Sequence, residues 1–362
     1  MRVGIIGAGD ISGIYLKNAA AVTPFEVVAI ADLSAERARS RADEYGVRQV
    51  LTPEELLAHP DVDVVLNLTV PAAHAEVSRA ALEAGKHVYG EKPLALNRED
   101  GLVLVTLAEA RGLWLGSAPD TFLGGGLQTC RQLIDQGVIG QPLAATAFML
   151  SHGVEAWHGN PDFFYQPGAG PLFDMGPYYL TALISLLGPV RTVTGQAVSG
   201  FQERVITTAR RYGERIAVQT PTHVTALLGF TSGAAATLIT SFDVWHAQVP
   251  RIEIYGSEGT LSVPDPNTFG GPVRLRLAQD KEWRELVPEG PYTQNSRGLG
   301  LSDLIASVHE GRAPRASGQL ALHVLDAMQS TLESAEAGRS LTLTTTATRP
   351  EPLLNAAPAP QR

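Results

Sequence analysis

The first 115 residues alternate short apolar runs with helix-patterned runs, and this alternation constrains the fold more than any other feature. Residues 2–6, 25–31, 62–68, 87–89 and 113–115 read as strands. Residues 10–21, 34–45, 71–84 and 97–111 read as the helices between them. Ser34 is placed to cap its helix, Gly46 lies just past the end, and Thr52-Pro53-Glu54-Glu55 reads as a capping box with proline at the first helical position. Consecutive strands joined through helices pair in parallel, so both sheet faces are covered. The nearly unbroken apolar run at 62–68 suits a strand buried on both sides. The expectation is an N-terminal α/β domain built on a doubly wound parallel sheet, the Rossmann architecture.

The pattern changes near residue 120. Residues 121–136 look helical despite glycines at 124–126, 143–150 read as a strand, and 151–171 form a loop rich in aromatics and prolines. From 190 to 287 β patterns dominate, and residues 299–310 and 319–337 read as helices. The 362 residues thus divide into a Rossmann domain at 1–120, a C-terminal α/β domain at 121–345 with a large, mostly antiparallel open sheet, and a loosely held tail at 346–362. The formal net charge of −9 argues against a nucleic-acid partner, which needs a concentrated positive surface. A single cysteine, Cys130, forms no internal disulfide and fits a reducing compartment. No stretch has the ~18 apolar residues of a membrane span. The opening residues read as strand and turn rather than as a secretory signal, so a cytoplasmic protein with no membrane partner is expected.

Gly7-Ala8-Gly9-Asp10-Ile11-Ser12 follows the first strand and opens a helix. Gly7 allows the tight turn, Gly9 lets the backbone approach a pyrophosphate, and the helix N-terminus offers amides to that anion. The third small position is taken by Ser12, with Gly13 next. Asp32 ends the second strand, nineteen positions after Gly13, where an acid accepts hydrogen bonds from a ribose and repels a 2′-phosphate. The reading is NAD in preference to NADP, with Arg37 close enough to keep NADP open.

Two further motifs carry a family resemblance. Asn67-Leu68-Thr69-Val70-Pro71-Ala72-Ala73-His74 ends a strand and starts a helix, and Ala84-Gly85-Lys86-His87-Val88-Tyr89-Gly90-Glu91-Lys92-Pro93 contains a Glu-Lys-Pro signature. Asp174-Met175-Gly176-Pro177-Tyr178 follows the glycine-rich approach at 168–171. With the opening turn, these resemble the glucose–fructose oxidoreductase / inositol dehydrogenase / MocA family along nearly the whole chain. The resemblance implies an NAD(P)-binding Rossmann domain, a second α/β domain whose open sheet makes subunit contacts, and hydride transfer at a carbinol carbon of a sugar, cyclitol or related polyol. It also implies that Lys92 is the catalytic lysine and Asp174 the acid of the second motif, with Tyr178 where histidine is usual. Thr69, Pro71, His74, Glu91 and Lys92 then join Gly7, Gly9, Asp10, Ile11 and Asp32 around the cofactor.

The residues admit the same chemistry. Lys92 precedes a proline, so its backbone is biased toward an extended form at a strand's carboxyl end, where it can stabilise an alkoxide. Asp174 and Tyr178, four apart, share one face if both are helical, although Pro177 raises the alternative of a helix beginning there. Tyrosine, with a reference pKa of ~10, serves as a base only beside a cation, and Lys92 is the candidate. His74 reads equally as a helix-start histidine bonded to a carboxylate. His152, Trp157, His158 and Tyr165, on the aromatic loop, offer apolar faces and polar groups to a sugar. No spacing suggests a metal site. Three functions are open: an NAD-dependent polyol dehydrogenase or reductase, a glycoside-modifying enzyme with tightly held and recycled NAD, and a non-catalytic nucleotide-responsive protein. A homodimer or homotetramer is expected, because the open sheet has a face and edges to cover.

Overall fold

The computed structural model describes residues 1–21, 25–288 and 290–353, and the chain forms two compact units. The first comprises Met1–Gly124 and Gln294–Leu325. It runs β1 (Arg2–Ile6), α1 (Ser12–Ala21), β2 (Glu26–Ala31), α2 (Ala35–Tyr45), β3 (Gln49–Leu51), α3 (Pro53–Ala58), β4 (Val64–Asn67), α4 (His74–Glu83), β5 (His87–Gly90), α5 (Arg98–Arg111) and β6 (Leu115–Ser117). The strands lie in the order β3-β2-β1-β4-β5-β6, every pair parallel. All four residues of β4 are buried, which is why its sequence shows no polar alternation. Ser34 accepts from the Arg37 amide, and both bonds of the Thr52–Glu55 capping box form. The sequence of strands reverses direction across the sheet between β1 and β4. In doubly wound sheets ligands bind outside the carboxyl ends of the strands at that point.

The second unit begins with α6 (Gly125–Asp135), β7 (Pro142–Leu150) and α7 (Gly170–Leu187). There follow β8 (Val190–Val198), β9 (Glu203–Val205), β10 (Arg215–Ala217), β11 (His223–Phe230), β12 (Ala235–Ser241), β13 (Ile252–Gly256), β14 (Gly259–Val263), β15 (Val273–Leu277) and β16 (Arg284–Leu286). The chain then contributes α8 (Leu299–Glu310) to the first unit, continues through α9 (Gly318–Ala337), and ends its regular structure with β17 (Leu341–Thr342). The large sheet has nine strands in the order β16-β15-β14-β13-β7-β12-β11-β8-β17. Only β7 and β12 pair in parallel; β9 and β10 form a separate hairpin. Val224, Ala226, Leu228 and Phe230 alternate inward along β11, while Leu227 faces out. The helix α7 packs against β7, β11 and β12.

Three local expectations change. Residues 121–136 are not one helix: a 3-10 turn at Thr121–Leu123 ends at an extended Gly124, and α6 starts afresh. The amides of Gly125 and Gly126 donate to Tyr292 O and Phe269 O, and a Cβ at Gly126 would lie 1.9 Å from Gly270 O. Residues 294–325 group with the first unit, not the second. Asn18 in α1 donates to the carbonyls of Asn295 and Arg297, and the Asp120 carboxylate accepts from the amides of Gly298 and Gly300. Such pairings, ~180 and ~280 residues apart in sequence, leave no local pattern. Finally, residues 346–353 are tied down. Arg349 donates to Ser185 O, Leu186 O and Asp135, Arg131 donates to Pro350 O, and Gln128 accepts from the Leu353 amide. The expected loose tail beyond that point, 354–362, lies outside the described residues. Among the described residues no helix is long and apolar enough to cross a membrane.

Candidate active site

The turn after β1 is shaped by its first glycine. Gly7 has φ +109° and donates its amide to Ala31 O at 2.8 Å. A Cβ there would meet the Leu68 carbonyl at 2.5 Å, so the loops after β1 and β4 touch. Gly9 differs: a Cβ would meet nothing within 4 Å. That open space above the backbone, at the strand-to-helix turn, is where a pyrophosphate approaches in this motif. Asp10 is exposed and Ile11 half-buried just before α1. Ser12 is buried and its hydroxyl donates to Gly9 O at 2.6 Å, closing the turn from inside.

Asp32 stands beside this turn. Its Oδ2 accepts from the Ala8 amide at 2.8 Å; its Oδ1 accepts from the Ser34 amide at 2.8 Å and from Arg37 Nη2 at 2.9 Å. Burial pulls the carboxyl upward, but the two amides and the Arg37 guanidinium outweigh it and hold the pKa below the ordinary value. Two apolar side chains lie open at the same edge: Leu33 is 96% and Val70 67% exposed. An open backbone cradle, an ionised acid and exposed apolar side chains fit an adenine dinucleotide. Leu33 and Val70 escaped the sequence reading because exposure cannot be read from residue type.

The loops after β4 and β5 form one hydrogen-bonded body. Asn67, fully buried at the end of β4, accepts from the Thr69 amide and hydroxyl and donates to His74 O and Ser78 Oγ. Its own carbonyl accepts from the Glu91 amide at 2.9 Å. Glu91 Oε1 accepts from Tyr15 OH at 2.8 Å, and Oε2 from the Lys92 amide at 3.0 Å. Pro71 opens a 3-10 turn that leads into α4. Lys92 is therefore carried on a backbone tethered to β4 and to α1. His74 departs from expectation. It is buried, with Nδ1 2.7 Å from Pro93 O and Nε2 2.9 Å from Thr69 O. Both nitrogens face backbone carbonyls, so neither a carboxylate nor a cofactor is its partner.

Below these loops lies an acid that the sequence did not advertise. Asp120 is buried, and burial raises its pKa to about 6 against the opposing pull of the Gly300 amide, Arg297 and the Gly298 amide. Burial, with Glu91 and Asp120 nearby, also pushes the Tyr15 phenol well up.

In the second unit, Asp174 and Tyr178 lie in α7, which begins at Gly170 and continues through Pro177. The alternative of a helix starting at Pro177 does not hold. Its missing donor falls opposite the Phe173 carbonyl, and four-residue spacing keeps Asp174 and Tyr178 on one face. The aromatic loop is organised by Arg204, a buried residue the sequence reading overlooked. It donates to Glu155 Oε1 at 2.8 Å, Asp243 Oδ1 at 3.0 Å, His152 O at 2.9 Å and Phe242 O at 3.0 Å. Tyr165 is buried and donates to the same Glu155, so it supports the loop rather than facing a ligand. The His152 ring stacks on Trp245 with centroids 3.3 Å apart, and Trp245 is 71% exposed. Trp157 is 68% exposed, while the half-buried His158 accepts from the Asn160 amide and packs edge-on against Phe163 and Phe164. Among the described residues no group of acids, histidines and cysteine is arranged to hold a metal ion.

Comparison with known proteins agrees with this geometry. Residues 1–118 match the family model described as an oxidoreductase family with an NAD-binding Rossmann fold, and residues 127–262 match the GFO/IDH/MocA C-terminal domain. The chain is 30% identical over 299 residues to 1,5-anhydro-D-fructose reductase of Ensifer adhaerens, covering 80% of this chain and 84% of that protein. It is 31% identical over 293 residues to inositol 2-dehydrogenase 3 of Saccharopolyspora erythraea, covering 79% and 80%. Among solved structures, levoglucosan dehydrogenase in complex with NADH superposes with a TM-score of 0.82 at 21% identity, over 95% of this chain and 99% of that one.

Proposed function

This chain belongs to the GFO/IDH/MocA family of NAD-binding oxidoreductases, and on that premise we propose that it interconverts a carbinol and a ketone on a sugar, cyclitol or related polyol, with NAD preferred to NADP. The observation that carries the reading is the assembly at the β1/β4 switch point: an open cradle at Gly9, an ionised Asp32 and a tethered Lys92 at the adjoining strand end. NAD, when bound, supplies the hydride acceptor. Gly7, Gly9 and the start of α1 would hold its pyrophosphate, Asp32 its ribose, and Thr69 and Pro71 would border the rest. Lys92 donates to the substrate hydroxyl and stabilises the alkoxide as the proton leaves. Tyr178 takes that proton and Asp174 orients the hydroxyl; both stand on one face of α7.

The printed activities of the two relatives, a reductase of an anhydro sugar and an inositol dehydrogenase, support this substrate class. The deciding experiment is a spectrophotometric screen with NAD and NADH against aldoses, inositols, anhydrosugars, glycosides and their keto forms. Turnover-linked absorbance change with one polyol class supports the reading. A cofactor that survives dialysis and cycles without net change would favour the glycoside-modifying alternative. Binding with no chemistry on any member would overturn both.

We also take the protein to be a cytoplasmic homodimer or homotetramer. The outward residues Thr225, Leu227, Thr237 and Ile239 of the nine-stranded sheet lie on two central strands, the arrangement expected of a face that meets a partner. Light scattering that returns a clean monomer of 38.5 kDa at micromolar concentration would remove this part of the proposal.

A further inference from the structure

We propose that His74 is a positioning residue for the reaction, a two-sided bracket that locks the loop carrying Lys92 to the loop carrying Thr69. The proposal rests on the reading of Lys92 given above. Its geometry is independent of that reading: a buried ring with Nδ1 2.7 Å from Pro93 O and Nε2 2.9 Å from Thr69 O. Pro93 directly follows Lys92, and Thr69 directly precedes the exposed Val70 and Pro71. The imidazole therefore spans the carboxyl ends of β4 and β5 at the positions where the cofactor-side loop and the catalytic loop meet.

Carbonyl oxygens only accept, so each contact is a hydrogen bond while that ring nitrogen carries its proton. No amide side chain reproduces this. Asn and Gln present both protons from one nitrogen and cannot reach oxygens on opposite edges of a ring. Other contacts complete the bracket on either side of the ring. Asn67 Nδ2 donates to His74 O at 3.0 Å, its Oδ1 accepts from the Thr69 hydroxyl at 2.6 Å, and its carbonyl accepts from the Glu91 amide. Tyr15 fixes the Glu91 carboxylate, which in turn accepts from the Lys92 amide. With these in place, the one remaining contact that fixes the far side of Lys92 is Pro93 O to His74. Releasing it frees the Lys92 backbone on that side while its Glu91 side stays held.

The test compares His74→Gln with wild type in the full-length protein. A misplacement of about 1 Å costs roughly 10²-fold in rate, so kcat should fall ~10–10²-fold. The dissociation constant for NAD, measured by fluorescence titration, should change by less than about fivefold, because Gly7, Gly9 and Asp32 are untouched. A double-mutant cycle separates positioning from general loosening. On a Lys92→Ala background the further loss from His74→Gln should shrink to within ~2-fold, since the group it positions is gone. A full, additive loss on that background, or a kcat within ~2-fold of wild type for His74→Gln alone, overturns the proposal. Should the variant not fold, the wild-type protein decides it by nitrogen-edited NMR of the histidine rings. Two exchange-protected ring N–H signals for His74 support the bracket, and one or none overturns it. That spectrum is informative even if no polyol is turned over, an outcome that would instead dispose of the functional reading of Lys92.

Discussion

Asp32→Ala is the substitution whose outcome follows most directly from the structure. A carboxylate offers about four acceptor positions. Here Oδ1 is taken by the Ser34 amide and Arg37, and Oδ2 by the Ala8 amide, which leaves roughly one acceptor position on Oδ2 for a ribose hydroxyl. A hydrogen bond to a charged group is worth ~1.5–3 kcal/mol, so its loss should weaken NAD binding by roughly 10- to 150-fold. The effect on NADP has the opposite sign. Like charges ~5 Å apart at an effective dielectric of ~20 repel by about 3 kcal/mol, and neighbouring Arg37 screens only part of this. Removing the carboxylate relieves the repulsion and releases the Arg37 guanidinium, paired to Asp32 at 2.9 Å, to meet a 2′-phosphate. NADP binding should therefore tighten by about tenfold, and the NAD-to-NADP preference should shift by at least ~10²-fold. Titration of tryptophan fluorescence with each cofactor at fixed ionic strength measures both constants. An unchanged ratio, or wild-type protein that binds NADP at least as tightly as NAD, would refute the role given to Asp32.

Asp120, with its pKa raised to about 6, binds a proton more readily folded than unfolded. Stability should therefore fall as pH rises from about 4 to about 6 and then level off. Relative to Asp120→Asn, the loss should approach about 3 kcal/mol. Urea midpoints of the two proteins that stay parallel across that range would count against it. Arg204→Met leaves Glu155 and Asp243 buried without their cation, a loss of ~3–5 kcal/mol. Calorimetry should show the melting temperature lowered by ~6–20 °C, and a shift under ~2 °C would mean the network is slack. Tyr178→Phe should lower kcat by ~10²–10⁴-fold with the NAD dissociation constant unchanged; near-normal turnover would move proton transfer to another group.

Much of this protein was determined by its sequence alone. The strand–helix alternation specified the parallel sheet, because each helix is long enough to return the chain to its neighbour's start and each strand is too apolar for an exposed edge. Local chemistry also placed the caps at Ser34 and Thr52, the turn at Gly7 and the acid at Asp32, since each depends on residues within a few positions of one another. What the tertiary structure decided involves partners distant in sequence. Residues 294–325 belong to the first unit because Asn18 and Asp120 hold them there. Tyr165 reads like a sugar-facing aromatic but is consumed by Glu155 and Arg204, about ten and forty residues away. His74 reads like a ligand-facing residue, yet the close approach of two strand ends turns both of its nitrogens toward backbone oxygens. A side chain's type states which hydrogen bonds it can make; only packing at ångström precision determines which ones remain for a ligand.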